Sequence, residues 1–271
     1  MREVLLLEGG APLPPPQPGL RTIVLPLMEQ HIRQCPRQMH EGLFPSRGTV
    51  DVFANKSSFA QYARSHGLGT RVPQAYDPDA PERFPCVFKL FDLNAGEGVE
   101  VVDSPDALTA LLERPGWKGQ PVLAQAFVSS SHEYVTHAVC RAGQIITQVT
   151  YRQTRGEQAR IMRPGHSNTR RRVRLPEAWK AILELFLQPL AYDGICNFDY
   201  VEGADGYPCV LEINPRLGGS LMVRKNVGDL AKILRSLIDL SQPLAVGAGL
   251  PPPLPSVSWW ARIMSPPRNG S

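Results

Sequence analysis

Four carboxylates and two carboxamides crowd one short stretch, Asn197-Phe-Asp199-Tyr-Val-Glu-Gly-Ala-Asp205-Gly206-Tyr-Pro-Cys-Val-Leu-Glu212-Ile-Asn214. Asp-Gly between two apolar runs favours a two-residue type I′ hairpin, because both central residues need positive φ. With Asp205 and Gly206 at the turn, Asp199 faces Glu212 and Asn197 faces Asn214. Phe198, Tyr200, Leu211 and Ile213 then share the opposite, core-facing side. Like charges directly opposed on a sheet destabilise it. Converging on one face, they make chemical sense around a hard divalent cation, which takes oxygen ligands. A solvated acidic sheet face is the other reading of the same residues. A second oddity is Lys89, set in Pro85-Cys-Val-Phe-Lys89-Leu-Phe91, a strand otherwise apolar, just before a glycine-containing turn. An ammonium there must meet an anion or snorkel to water. It suits a phosphate held under a loop whose glycines, Gly96 and Gly98, let the backbone approach closely. It equally suits an edge-strand lysine reaching solvent.

Such residues need a scaffold, and 271 residues, 42% apolar and 20% charged, are enough for one large domain or two modest ones. The apolar run Val4 to Leu7 is too short for a membrane span or a signal-peptide core. A net charge of +4 is too small to imply nucleic acid by itself. The 27 prolines concentrate at the ends, five in Pro12 to Pro18 and six in Pro251 to Pro267, so the middle reads as an ordinary globular chain. Cys35, Cys86, Cys140, Cys196 and Cys209 are odd in number and form no CxxC. They read as buried, reduced thiols of a cytoplasmic protein. His132 and His137, five apart, lack metal-ligand spacing.

Along the chain, Val4 to Leu7 and Thr22 to Leu27 read as strands, with a proline-rich linker between them, and Asp51 to Ala54 reads as extended. Asn55 caps a helix to about His66 that buries Phe59, Tyr62 and Ala63. Cys86 to Phe91, Val99 to Val102 and Val122 to Phe127 are strands, and Ser104-Pro105 opens a helix. Tyr134 to Cys140 and Gln144 to Tyr151 form a pair joined at Arg141-Ala-Gly143. A helix begins at Pro176, the acidic hairpin follows, and a last helix covers about Leu221 to Leu240. Antiparallel strand pairs between isolated helices argue an α+β fold.

Taken together, these residues resemble the ATP-grasp superfamily, chiefly the carboxylate–amine ligase branch that includes biotin carboxylase and carbamoyl-phosphate synthase. The resemblance spans about Val50 to Leu240 and rests on the order of its motifs. These are Asn55-Lys56 with Gly67 and Val72-Pro73, then Phe84-Pro-Cys-Val-Phe-Lys89, Asn94-Ala-Gly-Glu-Gly-Val99 and Leu123-Ala-Gln-Ala-Phe-Val128. Glu133, Asn197-Phe-Asp199 and Leu211-Glu-Ile-Asn-Pro-Arg216 complete the set. It implies an ATP-grasp fold of two α+β subdomains clasping ATP, at 51–127 (with a lead-in helix) and 128–242. A shortened N-terminal segment, 1–50, would precede them and a proline-rich tail, 243–271, would follow. Lys56, Lys89 and the loop glycines Gly96 and Gly98 would hold phosphates. The backbone of Gln125, Ala126, Phe127 and Val128 would bond adenine, and Glu133 would take ribose hydroxyls. Asp199, Glu212 and Asn214 would hold Mg²⁺, a set that Mn²⁺ also fits, and Arg216 would be catalytic, neutralising charge on the transferred phosphoryl group.

The implied reaction activates a small carboxylate as an acyl phosphate for attack by an amine or similar nucleophile, releasing ADP and phosphate. Two departures stand out. Gln125 replaces the glutamate of many relatives, and only 55 residues precede Lys56 where the family usually has a complete α/β domain of ~100 residues. The first segment is therefore expected to be reduced, or the chain incomplete. An ATP-binding accessory or degenerate subunit without a complete substrate site is the competing function. Eight arginines from Arg152 to Arg174 read as an electropositive loop over the site, a solvated basic loop, or, less in keeping with the single aromatic Tyr151, a nucleic-acid patch. No membrane partner is expected, and a homodimer is left open.

Overall fold

The computed structural model describes residues 22–35, 42–91, 98–154, 160–161 and 170–241. The expected strand at Val4 to Leu7, both proline-rich ends, and Gly96 with most of its loop lie outside them.

Three short helices come first: α1 (Glu29–Gln34), α2 (Arg47–Phe53) and α3 (Lys56–Ser65). The third forms as its sequence predicts, because the Asn55 side chain accepts from the N–H groups of Ser57 and Ser58 at 3.0 Å. Asp51 to Ala54, expected as extended, instead ends α2. Ser46 Oγ caps it by accepting from Thr49 N–H at 3.0 Å, and Thr49, Val50 and Phe53 are buried along it. Thr22 to Leu27 forms no strand; it is largely half-buried coil.

A first sheet follows, made of β1 (Ala75–Tyr76), β2 (Cys86–Leu90), β3 (Val99–Val102) and, after α4 (Pro105–Leu112), β4 (Val122–Ala126). Its order is β1-β4-β2-β3, antiparallel throughout. Phe88, Leu108, Leu111 and Trp117 anchor its core, each contributing ~1.5–3 kcal/mol by leaving water.

The second sheet contains β5 (His132–Arg141), β6 (Gln144–Thr154), β7 (Arg170–Val173), β8 (Gly194–Glu202) and β9 (Pro208–Asn214), with α5 (Glu177–Leu185) between β7 and β8. Its order is β7-β6-β5-β8-β9, again antiparallel. One face packs Phe198, Tyr200 and Ile213 against Phe53, Phe59 and Phe186. The lead-in helices α2 and α3 therefore share this sheet's core. The other face packs Val139, Val149 and Ile195 under α6 (Val227–Leu240), with Leu25 and Leu27 at the margin. The last helix starts six residues later than expected, after two 3₁₀ turns at Gly219–Leu221 and Arg224–Asn226. The buried Asn226 amide donates to Ser220 O at 2.8 Å, joining the two turns just before the helix.

The acidic hairpin keeps its predicted partners where they matter and loses them at the tip. Asn197 pairs with Asn214, Phe198 with Ile213 and Asp199 with Glu212. Beyond a bulge the register slips by one, so that Tyr200 pairs with Val210 and Glu202 with Pro208. The tip is a three-residue loop closed by Gly206 N–H to Gly203 O at 3.0 Å, in which Gly206 alone has positive φ (+78°). Asp205 lies within that tip and meets Arg71 at 2.6 Å. Leu211, expected on the core face, is the bulged residue and turns to a cleft. Arg170 to Arg172, read as loop, add an edge strand beside β6.

Candidate active site

Strand alternation and the two registers put Glu133 and His137 of β5, Asn197 and Asp199 of β8, and Glu212 and Asn214 of β9 on one face. Asp199 Oδ2 accepts from Asn197 Nδ2 at 2.8 Å and from Asn214 Nδ2 at 3.1 Å. Burial pushes the Asp199 carboxyl well above the usual range, and the negative charges of Glu212 and Glu133 push it further, against the opposing pull of Arg216. Without a cation, two carboxylates at this spot cannot both ionise cheaply. Among the described residues no cluster of three or more His, Cys, Asp or Glu side chains is placed to hold a metal. This face presents two carboxylates, Asp199 and Glu212, and the carboxamide of Asn214. These are oxygen donors only, which fit a hard divalent cation.

Lys89 reaches this face from the first sheet. Burial pushes its ammonium below the usual lysine range, Glu212 pulls it back up, and Lys56 and Glu133 also act on it. A cation from one sheet is therefore electrostatically coupled to the acids of the other. Lys56, first residue of α3, donates to Phe91 O at 3.4 Å, tying that helix to the chain just beyond β2. Gly98 O accepts from Leu90 N–H at 2.8 Å and closes the base of the glycine turn. Gln125 and Ala126 lie in the β4 ladder, and Ala126 N–H donates to Gln74 O at 2.8 Å. Phe127 and Val128 follow that ladder and lead towards the second sheet. A cleft of about 220 Å³ opens beside the acids, lined by Lys56, Phe91, Glu212 and Asn214 and, from α1, by Glu29 and Arg33.

Arg216 follows β9 directly. Its Nε donates to Glu29 Oε1 at 2.8 Å, with both side chains about 15% exposed. Its Nη2 lies 3.4 Å from Asn214 Oδ1. Sequence reasoning missed Glu29, whose partner is 187 residues away. It also missed the support behind the acids. His137 is fully buried, with Nε2 2.7 Å from Ser220 Oγ. Its Nδ1 and the Asn197 Oδ1 have no hydrogen-bond partner. Burial and then Arg170 push the imidazole down to about 3. Gly218 lies against both: a Cβ there would sit 2.6 Å from His137 Cε1 and 2.7 Å from Asn197 Oδ1. The Gly218-Gly219 doublet after Pro-Arg was the available signal. Of the basic run, Arg160 pairs with Asp103, Arg170 donates to Gln153 Oε1 at 2.8 Å, and Arg172 meets Asp229 at 3.0 Å.

A family model described as an ATP-grasp domain matches residues 53–220, more than half of the chain. The chain belongs to the ATP-grasp family, and its α+β architecture of two antiparallel sheets is that fold. No curated protein matches. Among solved structures, it is similar to phosphoribosylamine–glycine ligase from Thermotoga maritima, with 20% identity, a TM-score of 0.56, and 82% of this chain and 62% of that one covered. N5-carboxyaminoimidazole synthase from Aspergillus clavatus, in complex with ADP and 5-aminoimidazole ribonucleotide, shares 18% identity at a TM-score of 0.51, covering 74% and 55%. D-Alanine–D-alanine ligase from Bacillus anthracis shares 17% at 0.51, covering 74% and 70%. These likenesses are of fold, and the chain spans about half the length of the Aspergillus enzyme.

Proposed function

We propose that the chain is an ATP-dependent carboxylate–amine ligase using ATP and Mg²⁺. The observation that carries this reading is the opposed pair Asp199 and Glu212, with the partly desolvated Lys89 ammonium brought to it from the other sheet. Opposed carboxylates suit a bound divalent cation, and an ammonium beside them suits polyphosphate. Asp199, Glu212 and Asn214 would hold the metal, which when bound would neutralise and orient the phosphates. Lys56 and Lys89 grip phosphate oxygens from two different elements, and Gly98 keeps the strand ends close beneath them. Phe127 and Val128 would offer backbone to the adenine, next to Gln125 and Ala126, and Glu133 would take ribose hydroxyls. Arg216 meets the charge that builds on the γ-phosphoryl group and on the carboxylate attacking it.

In balanced form, a carboxylate oxygen forms a bond to the γ-phosphorus as the bond to the ADP oxygen breaks. An amine then attacks the acyl carbon, phosphate leaves, and the amine nitrogen loses a proton. The two clasping subdomains are assigned to 51–127 and 128–242. No described helix is long and apolar enough to cross a membrane, and the five free, buried cysteines support a cytoplasmic setting.

The test is ADP release from Mg-ATP in the presence of panels of carboxylates and amines. Substrate-dependent turnover should be lost in Glu212→Ala, which removes a proposed metal ligand, and should fall by about 10²–10³ in Arg216→Ala, the cost of removing one group that meets reaction charge. Tight Mg-ATP binding with no turnover against any panel would instead establish an ATP-binding accessory subunit.

A further inference from the structure

Resting on the reading that Asp199 holds the metal, we propose that His137 is a positioning residue for that ligand, acting through Asn197. The two residues stand directly across from each other, His137 on β5 and Asn197 on β8, and opposed residues of an antiparallel pair bring their side chains together. Gly218 lies against both, so close that a Cβ there would stand 2.6 Å from His137 Cε1 and 2.7 Å from Asn197 Oδ1. In this enclosed spot His137 Nδ1 and Asn197 Oδ1 are buried without a hydrogen-bond partner among the described residues. The remaining side-chain polar atoms of the pair are engaged. His137 Nε2 lies 2.7 Å from Ser220 Oγ, and Asn197 Nδ2 donates to Asp199 Oδ2 at 2.8 Å.

The chemistry of the two open atoms matches them to each other. Asn197 Oδ1 only accepts. Burial keeps the imidazole neutral, so it carries one N–H and one lone pair, while the Ser220 hydroxyl can donate or accept. With the proton on Nδ1, Ser220 donates to Nε2 and the Nδ1–H is offered to Asn197 Oδ1. That closes a chain from Ser220 through His137 and Asn197 to Asp199. With the proton on Nε2, two buried acceptors are left side by side and neither is satisfied. The packing therefore selects the Nδ1–H form. The consequence falls on Asp199, whose Oδ2 accepts from both Asn197 and Asn214, leaving Oδ1 for a cation. A flipped Asn197 amide would set its carbonyl against that carboxylate and its NH₂ against the His137 N–H. The histidine thus locks the amide from behind, as partners of metal ligands do.

The experiment separates the two ring nitrogens. Asparagine at 137 places an amide donor near the Nδ1 position, whereas glutamine reaches the Nε2 position and Ser220. Wild type, His137→Asn and His137→Gln are each held with a non-hydrolysable ATP analogue, and Mn²⁺ binding is read from the paramagnetic resonance of the free ion. The dissociation constant should rise about 10- to 100-fold in His137→Gln, the usual cost of losing an outer partner of a metal ligand. In His137→Asn it should stay within about threefold of wild type. The reverse order, equal loss in both, or loss in neither overturns the assignment, because a histidine that only fills space distinguishes no nitrogen. A second measurement needs no variant. Heteronuclear NMR of protein carrying isotope-labelled histidine, with His137 recognised by its contact with the Tyr151 ring at 6.0 Å between centroids, should find the proton on Nδ1. A proton on Nε2 overturns the proposal even if neither variant folds. Neither measurement depends on turnover, so a failure of every carboxylate and amine to release ADP would sink the ligase reading and leave these outcomes standing. If the wild type binds no Mn²⁺ with nucleotide, the metal site fails and the proposal with it.

Discussion

Lowering the pH from 7 to 5 charges an ordinary histidine and leaves His137 neutral. In the unfolded chain its imidazole titrates near 6.5, whereas in the fold burial holds it down to about 3. Below pH 6.5 the unfolded chain takes up a proton that the folded chain refuses, so stability is full above 6.5 and falls as the pH drops toward 3. The side chain is fully buried, so the shift needs no discount for solvent screening. At 1.36 kcal/mol per pH unit, the loss between pH 7 and pH 5 is about 2 kcal/mol. Urea unfolding of the wild type and of His137→Gln, at pH 7, 6 and 5, isolates the contribution. Glutamine reaches Ser220 from the same position but does not titrate. The wild type should lose about 2 kcal/mol more than the variant over that range. Parallel stability curves would refute the reasoning, because they would mean that a proton reaches the ring in the folded state.

Two further outcomes follow from the same region. Gly218 has ordinary extended backbone, φ −83° and ψ 142°, so Gly218→Ala is opposed by space alone. With buried His137 and Asn197 in the way, it should destabilise by ~1–3 kcal/mol in urea unfolding, and a loss under ~0.5 kcal/mol would show that the turn simply shifts. Lys89→Met removes a desolvated ammonium and keeps the stem's volume. Without nucleotide the variant should be as stable as the wild type or more so, while calorimetry should show Mg-ATP affinity falling about 10- to 100-fold. Unchanged affinity would remove Lys89 from the phosphate site.

What could be read in advance follows from how local its cause is. Asn55 and Ser104 cap the helices beside them, and Ser104 also has Pro105 at the first position. Those signals lie within four residues of their effects. The pairing of Asp199 with Glu212 was also legible, but for an incomplete reason. The type I′ turn expected at Asp205-Gly206 belongs instead to Ala142-Gly143, both at positive φ, while a three-residue tip and a bulge together restore the acidic pair. Arg71, 134 residues before Asp205, leaves no trace in the hairpin's own sequence. Glu29 is the same problem on a larger scale: a lone acid opening a six-residue helix has meaning only once the fold brings Arg216 to it. The strand Arg170–Val173 was hidden because its residues carry charge where a strand pattern shows alternation. It pairs through backbone with β6, and Arg170 and Arg172 find partners that only tertiary structure supplies.

The bulge in β9 has one more consequence. Leu211 is a residue that the ladder does not count: Val210 keeps Tyr200, Glu212 keeps Asp199, and the residue between them has no opposite number. Strand length here is set by the cleft and not by the sheet. A regular hairpin one residue shorter would keep every named pair from Asn197 to Glu202. It would lose the bend that swings an aliphatic side chain into the cleft, so the place where this chain is least economical as a sheet is the wall of the proposed site.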